Sequence, residues 1–402
     1  MIRFSKLTSE FRSSAIRDLM SIATRPDIIS FAGGMPDNDL FPIEETNEIF
    51  NNLTIAQKKI AFQYGPTTGF PSLLESLSLF LEKKGLPVKS NKLIITTGSL
   101  QAINILAKVL VDQGERILVE NPCFIGALSA FKSYGAILEG IDIDNDGLII
   151  EQLVNKINAG SLPKFLYVTP YFHNPAGITY SIERKNELIN VLKNKNIPII
   201  EDDAYGDLWF YEEDKERIKP IKAIDPEGID VCYTGSFSKI FGPGLRLGWM
   251  LVPEEMYRPC ELAKQCFDAC SPSFTQVLAD AFIRTGMIHK YIDKVRVEYK
   301  LRAEAMHQAL KENMPEYVKW VEPKGGFYIW LTLPDSIDST EILKVALEKG
   351  AVFVVGKTFD PDNKKNNCIR LSYCNTSVDK INEGIKIVAD SIRIICERNI
   401  NF

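Results

Sequence analysis

The sequence predicts an α/β protein whose larger part is a mainly parallel sheet covered by helices on both faces. Seven short β-rich runs alternate with segments in which apolar residues recur at helical spacing, and most of these runs are continuously apolar. Such runs are typical of strands buried on both faces of a parallel sheet. After about residue 285 the strands become fewer and two long helical patterns appear, which predicts a smaller α+β unit.

Composition narrows the class of function. The 47 Lys and Arg residues against 52 Asp and Glu give a net charge of −5, so we expect no broad basic surface for nucleic acid or an anionic membrane. The eight cysteines are scattered without a C-x-x-C pair, and only three histidines accompany them, which argues against a metal site or a disulfide framework. The start of the chain has no apolar leader, and no run of about 18 apolar residues occurs. We expect a cytoplasmic protein that acts on small molecules.

The seven predicted strands follow one another at intervals that leave room for connecting helices. They are Leu93–Thr97, Ile117–Glu120, Ala136–Ile141, Phe165–Thr169, Ile197–Glu201, Ile229–Thr234 and Leu247–Val252. Gly98 and Ser99 open the helix after the first strand, where free backbone N–H groups can bind an anion, although for this stretch alone an ordinary helix start is the better explanation. Ser181 is the predicted N-cap of the helix before the fifth strand. In the C-terminal unit, further strands are expected near 317–322, 325–331, 352–355 and 369–373.

Polar and aromatic residues follow several strands, at the sheet edge where open α/β proteins bind ligands. Asp202 and Asp203 close an apolar strand just before Tyr205. Buried acids are costly unless a cation pairs with them, and a protonated pyridine nitrogen would meet that need. Phe124 can stack on a planar ring, although core packing is the commoner use of phenylalanine. Asn174 offers donors and an acceptor, but an Asn-Pro sequence also forms turns.

The stretch that ends at Lys239 places a single lysine among hydroxyls and glycines, directly after an apolar strand. An amine attacks an aldehyde only after losing its proton, and burial or a neighbouring cation such as Arg246 lowers its pKa. Ser236, Ser238 and nearby backbone N–H groups can donate to phosphate oxygens. Taken alone, this stretch is equally typical of a polar turn with a solvated lysine.

In this order, the stretches resemble the class I and II aminotransferases among the fold-type I pyridoxal-phosphate (PLP) enzymes, over essentially the whole chain. Within that family the sequence is similar to the branch of 2-aminoadipate and kynurenine aminotransferases. The matching stretches are 32–36, 64–65, 98–101, 174–177, 201–206, 236–239, 243–249 and 369–371. One departure is Phe124, where the family often has tyrosine, so that any hydroxyl contact from this position is lost.

The resemblance implies a role for each matching residue. Lys239 would link covalently to PLP and carry the proton at the substrate α-carbon, Asp202 would pair with the ring nitrogen, and Tyr205 would bond the ring hydroxyl oxygen with Asn174. The other cofactor-binding residues would be Ser99, Leu100, Gln101, Phe124, Ser236, Ser238, Arg246 and, from the neighbouring subunit, Tyr64. Those that bind substrate would be Arg370, Asn174, Gly34 and Arg17. Arg370 would hold the α-carboxylate; for Arg17, as for Arg12, a surface ion pair is the simpler alternative.

The resemblance also implies an activity and an assembly. The amino group of an L-amino acid with an aromatic, aminoadipate-like or medium-length side chain would pass to a 2-oxo acid such as 2-oxoglutarate, by a ping-pong mechanism, in a homodimer with shared active sites. The expected divisions are an N-terminal segment (1–49) that joins the small domain and covers the site, a large PLP-binding domain (50–285) and a small domain (286–402). A β-elimination lyase and a PLP-binding regulatory protein are the alternatives; Arg370 disfavours decarboxylation but not elimination.

Overall fold

The computed structural model describes residues 2–4, 8, 19, 21–22, 25–226 and 230–400. The first nine strands are β1 (Ile29–Ser30), β2 (Asn91–Thr96), β3 (Arg116–Asn121), β4 (Ile137–Asp144), β5 (Gly147–Leu148), β6 (Leu166–Val168), β7 (Ile199–Asp203), β8 (Val231–Ser236) and β9 (Gly248–Pro253). All except β1 form the central sheet, in the spatial order β2-β9-β8-β7-β6-β3-β4-β5. All seven predicted strands are present, and the two-residue β5 extends the edge. Strands β9 and β5 run in the direction opposite to the other six strands of this sheet. The sheet is therefore mainly parallel, as predicted.

Helices cover both faces of this sheet. They are α1 (Ile43–Asn52), α2 (Ile55–Ala61), α3 (Pro71–Glu82), α4 (Ser99–Leu110), α5 (Ile125–Ser133), α6 (Ile150–Asn158), α7 (Ile182–Leu192), α8 (Ile221–Ile224), α9 (Glu254–Gln265) and α10 (Ser273–Arg284). Ile200 packs in the apolar cluster under α4, α5 and α9, whereas its neighbour Ile199 packs under α6 and α7. Because successive strand residues point to opposite faces, burial on both sides explains the continuously apolar runs. Ser181 caps α7 as predicted, its hydroxyl accepting the Arg184 N–H at 3.1 Å.

The C-terminal part forms a second, smaller layer. Its elements are α11 (Met287–Asn313), β10 (Tyr328–Thr332), α12 (Ser339–Glu348), β11 (Ala351–Val352), β12 (Val354–Val355), β13 (Cys368–Ser372) and α13 (Val378–Ile400). The strands β10, β13 and β12 form an antiparallel sheet. The expected strand at 317–322 is wrong. Within this segment only Lys319 forms a β-bridge, and its partner is Thr332, the last residue of β10.

The N-terminal segment packs with this C-terminal layer. Strand β1 pairs in parallel with β11, with Ile29 opposite Ala351, and the following residue, Phe31, accepts the Ser372 N–H at 2.9 Å. The backbone of Gly33 and Gly34 is thereby placed over the carboxyl ends of the parallel strands. The assignment of residues 1–49 to the smaller unit, like the domain limits at 49 and 285, stays a prediction.

Candidate active site

A cleft of about 450 Å³ lies between the carboxyl edge of the large sheet and the smaller layer. Twelve of the predicted site residues line it: Gly34, Ser99, Leu100, Phe124, Asn174, Asp202, Tyr205, Ser236, Ser238, Lys239, Arg246 and Arg370. They come from the ends of β2, β3, β6, β7 and β8, from the N-terminal segment and from β13. The parallel strands end at one edge, so residues distant in the sequence meet there.

Lys239 follows β8 and directs its amine into this cleft. Its Nζ donates to the Gly34 carbonyl oxygen at 2.7 Å, across 205 residues of sequence. Burial lowers the pKa of Lys239 to about 8; Cys374 opposes this shift, and the positive charges of Arg370 and Arg246 add smaller effects in the same direction as burial. With this pKa, about a tenth of the amine is unprotonated at pH 7, and this fraction is the form that can attack a carbonyl carbon.

Asp202 is a buried carboxylate held in a fixed orientation. Thr234 Oγ1 donates to one carboxylate oxygen at 2.8 Å and Tyr167 OH donates to the other at 2.8 Å. Burial, with smaller contributions from the nearby acids Asp203 and Glu120, raises the pKa of Asp202 to about 6 despite these two bonds. A cation arriving over this carboxylate would offset the cost of its burial.

The adjacent acid, Asp203, is directed away from the cleft. Its Oδ1 accepts the Gly206 N–H at 2.6 Å, and its Oδ2 accepts from Tyr233 OH at 2.5 Å and lies 3.5 Å from Lys84 Nζ. Neighbouring residues at the end of a strand point to opposite faces. Asp202 is consequently the member of the pair that lines the cleft.

One end of the cleft has the groups that a phosphate requires. The hydroxyls of Ser236 and Ser238 lie 2.8 Å apart, and the 12-residue helix α4 begins beside them at Ser99. Gly98, with φ of 81°, brings the backbone so near Arg246 that a Cβ atom at position 98 would lie 2.9 Å from Nη2. A guanidinium, two hydroxyls and a helix N-terminus form a positively polarised pocket suited to a dianion.

The opposite end has a buried guanidinium that has no counterion among the described residues. Arg370 is 2% exposed; its Nη1 donates to Asn174 Oδ1 at 3.0 Å and its Nη2 to the Ala32 carbonyl oxygen at 2.5 Å. Its Nε is buried and has no hydrogen-bond partner within the described part of the chain. Burial lowers the pKa of Arg370, and no carboxylate is among the groups that offset this effect. A carboxylate ligand would supply both the missing charge and the missing acceptor.

Aromatic side chains line the space between these two ends. Phe124 lies three residues after the end of β3, and Tyr205, beyond β7, places its hydroxyl 3.1 Å from that of Tyr328. The accepting oxygen of Asn174 is taken by Arg370, which leaves its amide nitrogen as a donor. A planar ring lying against Phe124 would have Tyr205 and Asn174 within reach of a ring oxygen.

Three predicted residues are not placed in the cleft. Gln101 does not line it: its side chain accepts the Thr97 N–H at 2.8 Å and donates to Asp268 at 2.7 Å, and its backbone N–H donates to Gly98. Tyr64 is 86% exposed on the outer surface. Arg17, like Arg12, lies outside the described residues.

Several lining residues were not foreseen as site residues. They are Met35, Gly98, Thr169, Tyr171, Ala204, Pro243 and Tyr328. Gly98 and Met35 lay in stretches that were already noted. Tyr328 lies two residues after the Gly325-Gly326 pair, in a stretch whose pattern predicts only a strand. The packing of the smaller layer against the sheet edge places it in the cleft.

Comparison with known proteins gives concordant results. The family described as "Aminotransferase class I and II" matches residues 26–388. The chain is 37% identical to aromatic-amino-acid aminotransferase 1 of Thermococcus litoralis, covering 97% of this chain and 94% of that protein. It is 31% identical to 2-aminoadipate transaminase of Thermus thermophilus, covering 97% and 96%. A crystal structure of the kynurenine aminotransferase of Pyrococcus horikoshii is 39% identical, with a TM-score of 0.93 and 97% of each chain covered.

Proposed function

Because the chain belongs to the class I and II aminotransferase family, we propose that its cleft transfers the amino group of an aromatic, aminoadipate-like or medium-length L-amino acid to 2-oxoglutarate by a ping-pong mechanism. The protein is a PLP-dependent aminotransferase. The observation that carries the proposal is Arg370, a buried guanidinium that faces the same cleft as Lys239. Within the described part of the chain it has no counterion, and its Nε has no hydrogen-bond partner. It requires an anion, and the carboxylate of an amino acid is one.

The residues of the cleft fit PLP along its whole length. Ser99, Leu100, Ser236, Ser238 and Arg246 would hold the phosphate, Asp202 would pair with the ring nitrogen, and Phe124 would stack on the ring. When bound, PLP serves as an electron sink for the charge that develops at the substrate α-carbon. The carboxylate of Asp202 favours a protonated ring nitrogen, and this preference is what makes the ring an effective sink.

The remaining steps belong to side chains of the chain itself. Arg370 and the amide of Asn174 orient the substrate α-carboxylate and fix which bond at the α-carbon faces Lys239. The Lys239 amine, with its pKa lowered to about 8, accepts the α-proton and returns it on the cofactor side, as a general base and then a general acid. Its bond to the Gly34 carbonyl keeps this amine at the mouth of the substrate space.

Apolar lining favours donors with sizeable side chains. Met35 and Pro243 line the cleft together with Tyr328, and related proteins are named for aromatic amino acids and kynurenine. Burial of an apolar side chain against such a wall contributes roughly 25 cal/mol per Å². For aminoadipate-like donors, Arg17 is proposed as the partner of the distal carboxylate.

Single-turnover spectroscopy with a donor panel tests this proposal. We expect tyrosine, phenylalanine, leucine and 2-aminoadipate to convert the bound cofactor to its amino form, which 2-oxoglutarate then restores. Tyramine, which has the ring of tyrosine without its carboxylate, is the matched control. It should react at least about 100-fold more slowly, because the bidentate contact with Arg370 contributes a few kcal/mol. Equal rates for tyrosine and tyramine, or release of ammonia without the amino form, would contradict the proposal.

An exposed apolar surface supports a homodimer with shared active sites. Phe62 is 77% exposed beside Tyr64, and its ring lies 5.9 Å from that of Phe274, while Ile55 on the adjoining helix is 69% exposed. Contiguous apolar groups of this size on a surface are typical of an interface. In the proposed dimer, Tyr64 reaches the phosphate of the partner's cofactor.

Substitution at this surface is expected to separate the subunits. Phe62→Asp should give a monomer by light scattering and lose PLP on gel filtration, whereas Val297→Asp, at a 67% exposed position on α11, should remain a dimer with PLP. Tyr64→Phe should stay dimeric and bind PLP about 10-fold more weakly, because one hydrogen bond to a charged group is lost. A monomeric wild type, or unchanged PLP affinity in Tyr64→Phe, would refute the shared site.

A cytoplasmic location is proposed from the thiols. All eight cysteines are free, and six of them are buried, as expected of a protein kept in a reducing compartment. Among the described residues, no helix is long and apolar enough to cross a membrane.

A further inference from the structure

Tyr328 joins the two ends of the cleft. It is the first residue of β10, and its side chain is buried while lining the cleft. Its hydroxyl oxygen lies 3.1 Å from that of Tyr205. The Arg370 guanidinium lies over its ring, with Cζ 4.4 Å from the ring centroid.

The hydroxyl of Tyr328 also sits against Gly34. A Cβ atom at position 34 would overlap this oxygen, so the close approach depends on glycine there. The carbonyl of Gly34 is the acceptor for Lys239. Tyr328 therefore contacts the carboxylate-binding residue, the partner of the cofactor ring oxygen and the backbone that holds the lysine.

The number of protons on each hydroxyl determines which of the two tyrosines donates the hydrogen bond between them. A tyrosine hydroxyl has one proton to donate. If Tyr205 donates that proton to the ring hydroxyl oxygen of PLP, as the proposed function has it, the oxygen of Tyr205 must accept from Tyr328. Arg370, over the Tyr328 ring, favours this direction because a nearby positive charge makes a phenol a better donor.

We propose that Tyr328 is a positioning residue with two separable roles: its hydroxyl donates to Tyr205 and strengthens that residue's bond to the cofactor ring oxygen, and its ring supports the guanidinium of Arg370. Hydrogen bonds in a chain polarise one another, so the first donor strengthens the second bond. A cation over an aromatic face is also stabilised by that face. This inference rests on the role proposed above for Tyr205.

The first role predicts a spectroscopic change. A donor to the ring oxygen would stabilise the negative charge on that oxygen and so lower the pKa of the bound cofactor at its link to Lys239 Nζ. Removing the Tyr328 hydroxyl should raise the apparent pKa of the bound cofactor, read from its visible absorbance, by about 0.5 unit, as expected for a bond one step removed. Titratable or charged groups that act on Tyr328 are Tyr205, Arg370 and Cys374.

The experiment is a pH titration of holoenzyme absorbance combined with steady-state kinetics. Tyr328→Phe should shift the titration upward and leave the KM for the amino acid within about twofold, because the ring under Arg370 is kept. Tyr328→Leu should raise that KM about 10-fold as well, because the ring is lost. The matched control is Tyr299→Phe. Tyr299 is a buried tyrosine with its ring 4.8 Å from that of Phe327, outside the cleft, and this variant should move neither quantity.

A double variant separates this inference from the function on which it rests. Tyr205→Phe alone should give a larger upward shift, and adding Tyr328→Phe to it should give no further shift, since the hydroxyl of Tyr328 acts through Tyr205. A shift for Tyr205→Phe but none for Tyr328→Phe overturns the inference alone. No shift for either variant overturns the assignment of Tyr205 too. If Tyr328→Phe gives the same shift in the wild type and in the Tyr205→Phe background, the hydroxyl of Tyr328 does not act through Tyr205, and the inference is overturned.

Discussion

Replacing Lys239 with methionine is expected to leave a folded protein that binds PLP without a covalent link and transaminates at least about 10⁴-fold more slowly, because both the nucleophile and the proton carrier are removed. The phosphate pocket around Ser236, Ser238 and Arg246 remains, so PLP should still bind. Borohydride reduction followed by mass spectrometry of peptides should find the cofactor attached to Lys239 in the wild type and to no peptide in the variant.

The matched control is Lys222→Met. Lys222 is another buried lysine, whose Nζ donates to the Val231 carbonyl oxygen at 2.5 Å and does not line the cleft. Burial lowers the pKa of Lys222 as well, so a lowered pKa alone does not distinguish the two amines. Activity should persist in this variant, with PLP attached to Lys239. Attachment to a different lysine in either protein would show that the wrong amine was chosen.

Asp202→Asn is expected to change activity and stability in opposite directions. Loss of the carboxylate beneath the ring nitrogen should lower kcat by roughly 10³-fold, since the ring would no longer be held protonated. The cofactor-free protein should nevertheless become more stable, because an uncompensated buried carboxylate is removed. Such an exchange of stability for activity is common at active sites.

The stability gain should depend on pH in a defined sense. Burial raises the pKa of Asp202 from 3.8 to about 6, so the folded protein binds this proton more tightly than the unfolded chain. The stability conferred by protonation is complete below about pH 3.8 and is lost as the pH rises through about 6. Asp202→Asn should therefore exceed the wild type by about 3 kcal/mol at pH 8 and by less than about 1 kcal/mol near pH 4.

Urea unfolding of the cofactor-free proteins at several pH values measures this difference. The control is Asp203→Asn, which alters the neighbouring acid that bonds Gly206 and Tyr233 outside the cleft. It should retain most of the transaminase activity. A greater loss of activity in Asp203→Asn than in Asp202→Asn would mean that the wrong acid had been assigned to the ring nitrogen. A stability difference that is independent of pH would exclude the raised pKa as its cause.

Much of the fold followed from local patterns. The seven strands and the Ser181 cap each depend on residues close together in the chain. Apolar runs and capping residues act over a few residues, so they can be identified without knowing the tertiary structure. The strand expected at 317–322 does not form, because a strand needs a neighbour that pairs with it over several residues. In this segment Lys319 pairs alone, with Thr332.

The residues proposed to carry the chemistry could also be predicted from the sequence. Recognisable local stretches contain Lys239, Asp202, Asn174 and Arg370. Which groups meet was decided by tertiary structure alone. The bonds of Lys239 to Gly34, Arg370 to Asn174 and Tyr205 to Tyr328 span 205, 196 and 123 residues. Such contacts depend on how the smaller layer packs over the sheet edge, and no local pattern encodes that packing.

The stretch ending at Lys239 illustrates the division. Its residue types alone were as typical of a polar turn as of a cofactor site, and the order of the other stretches identified the family. Only the packed structure buries the lysine beside two guanidinium groups and lowers its pKa to about 8, because desolvation and charge proximity are properties of the folded surroundings. The same packing places Tyr328 between Tyr205 and Arg370. The sequence by itself thus determined which reactive groups the protein has, and the tertiary structure decided which of them act together.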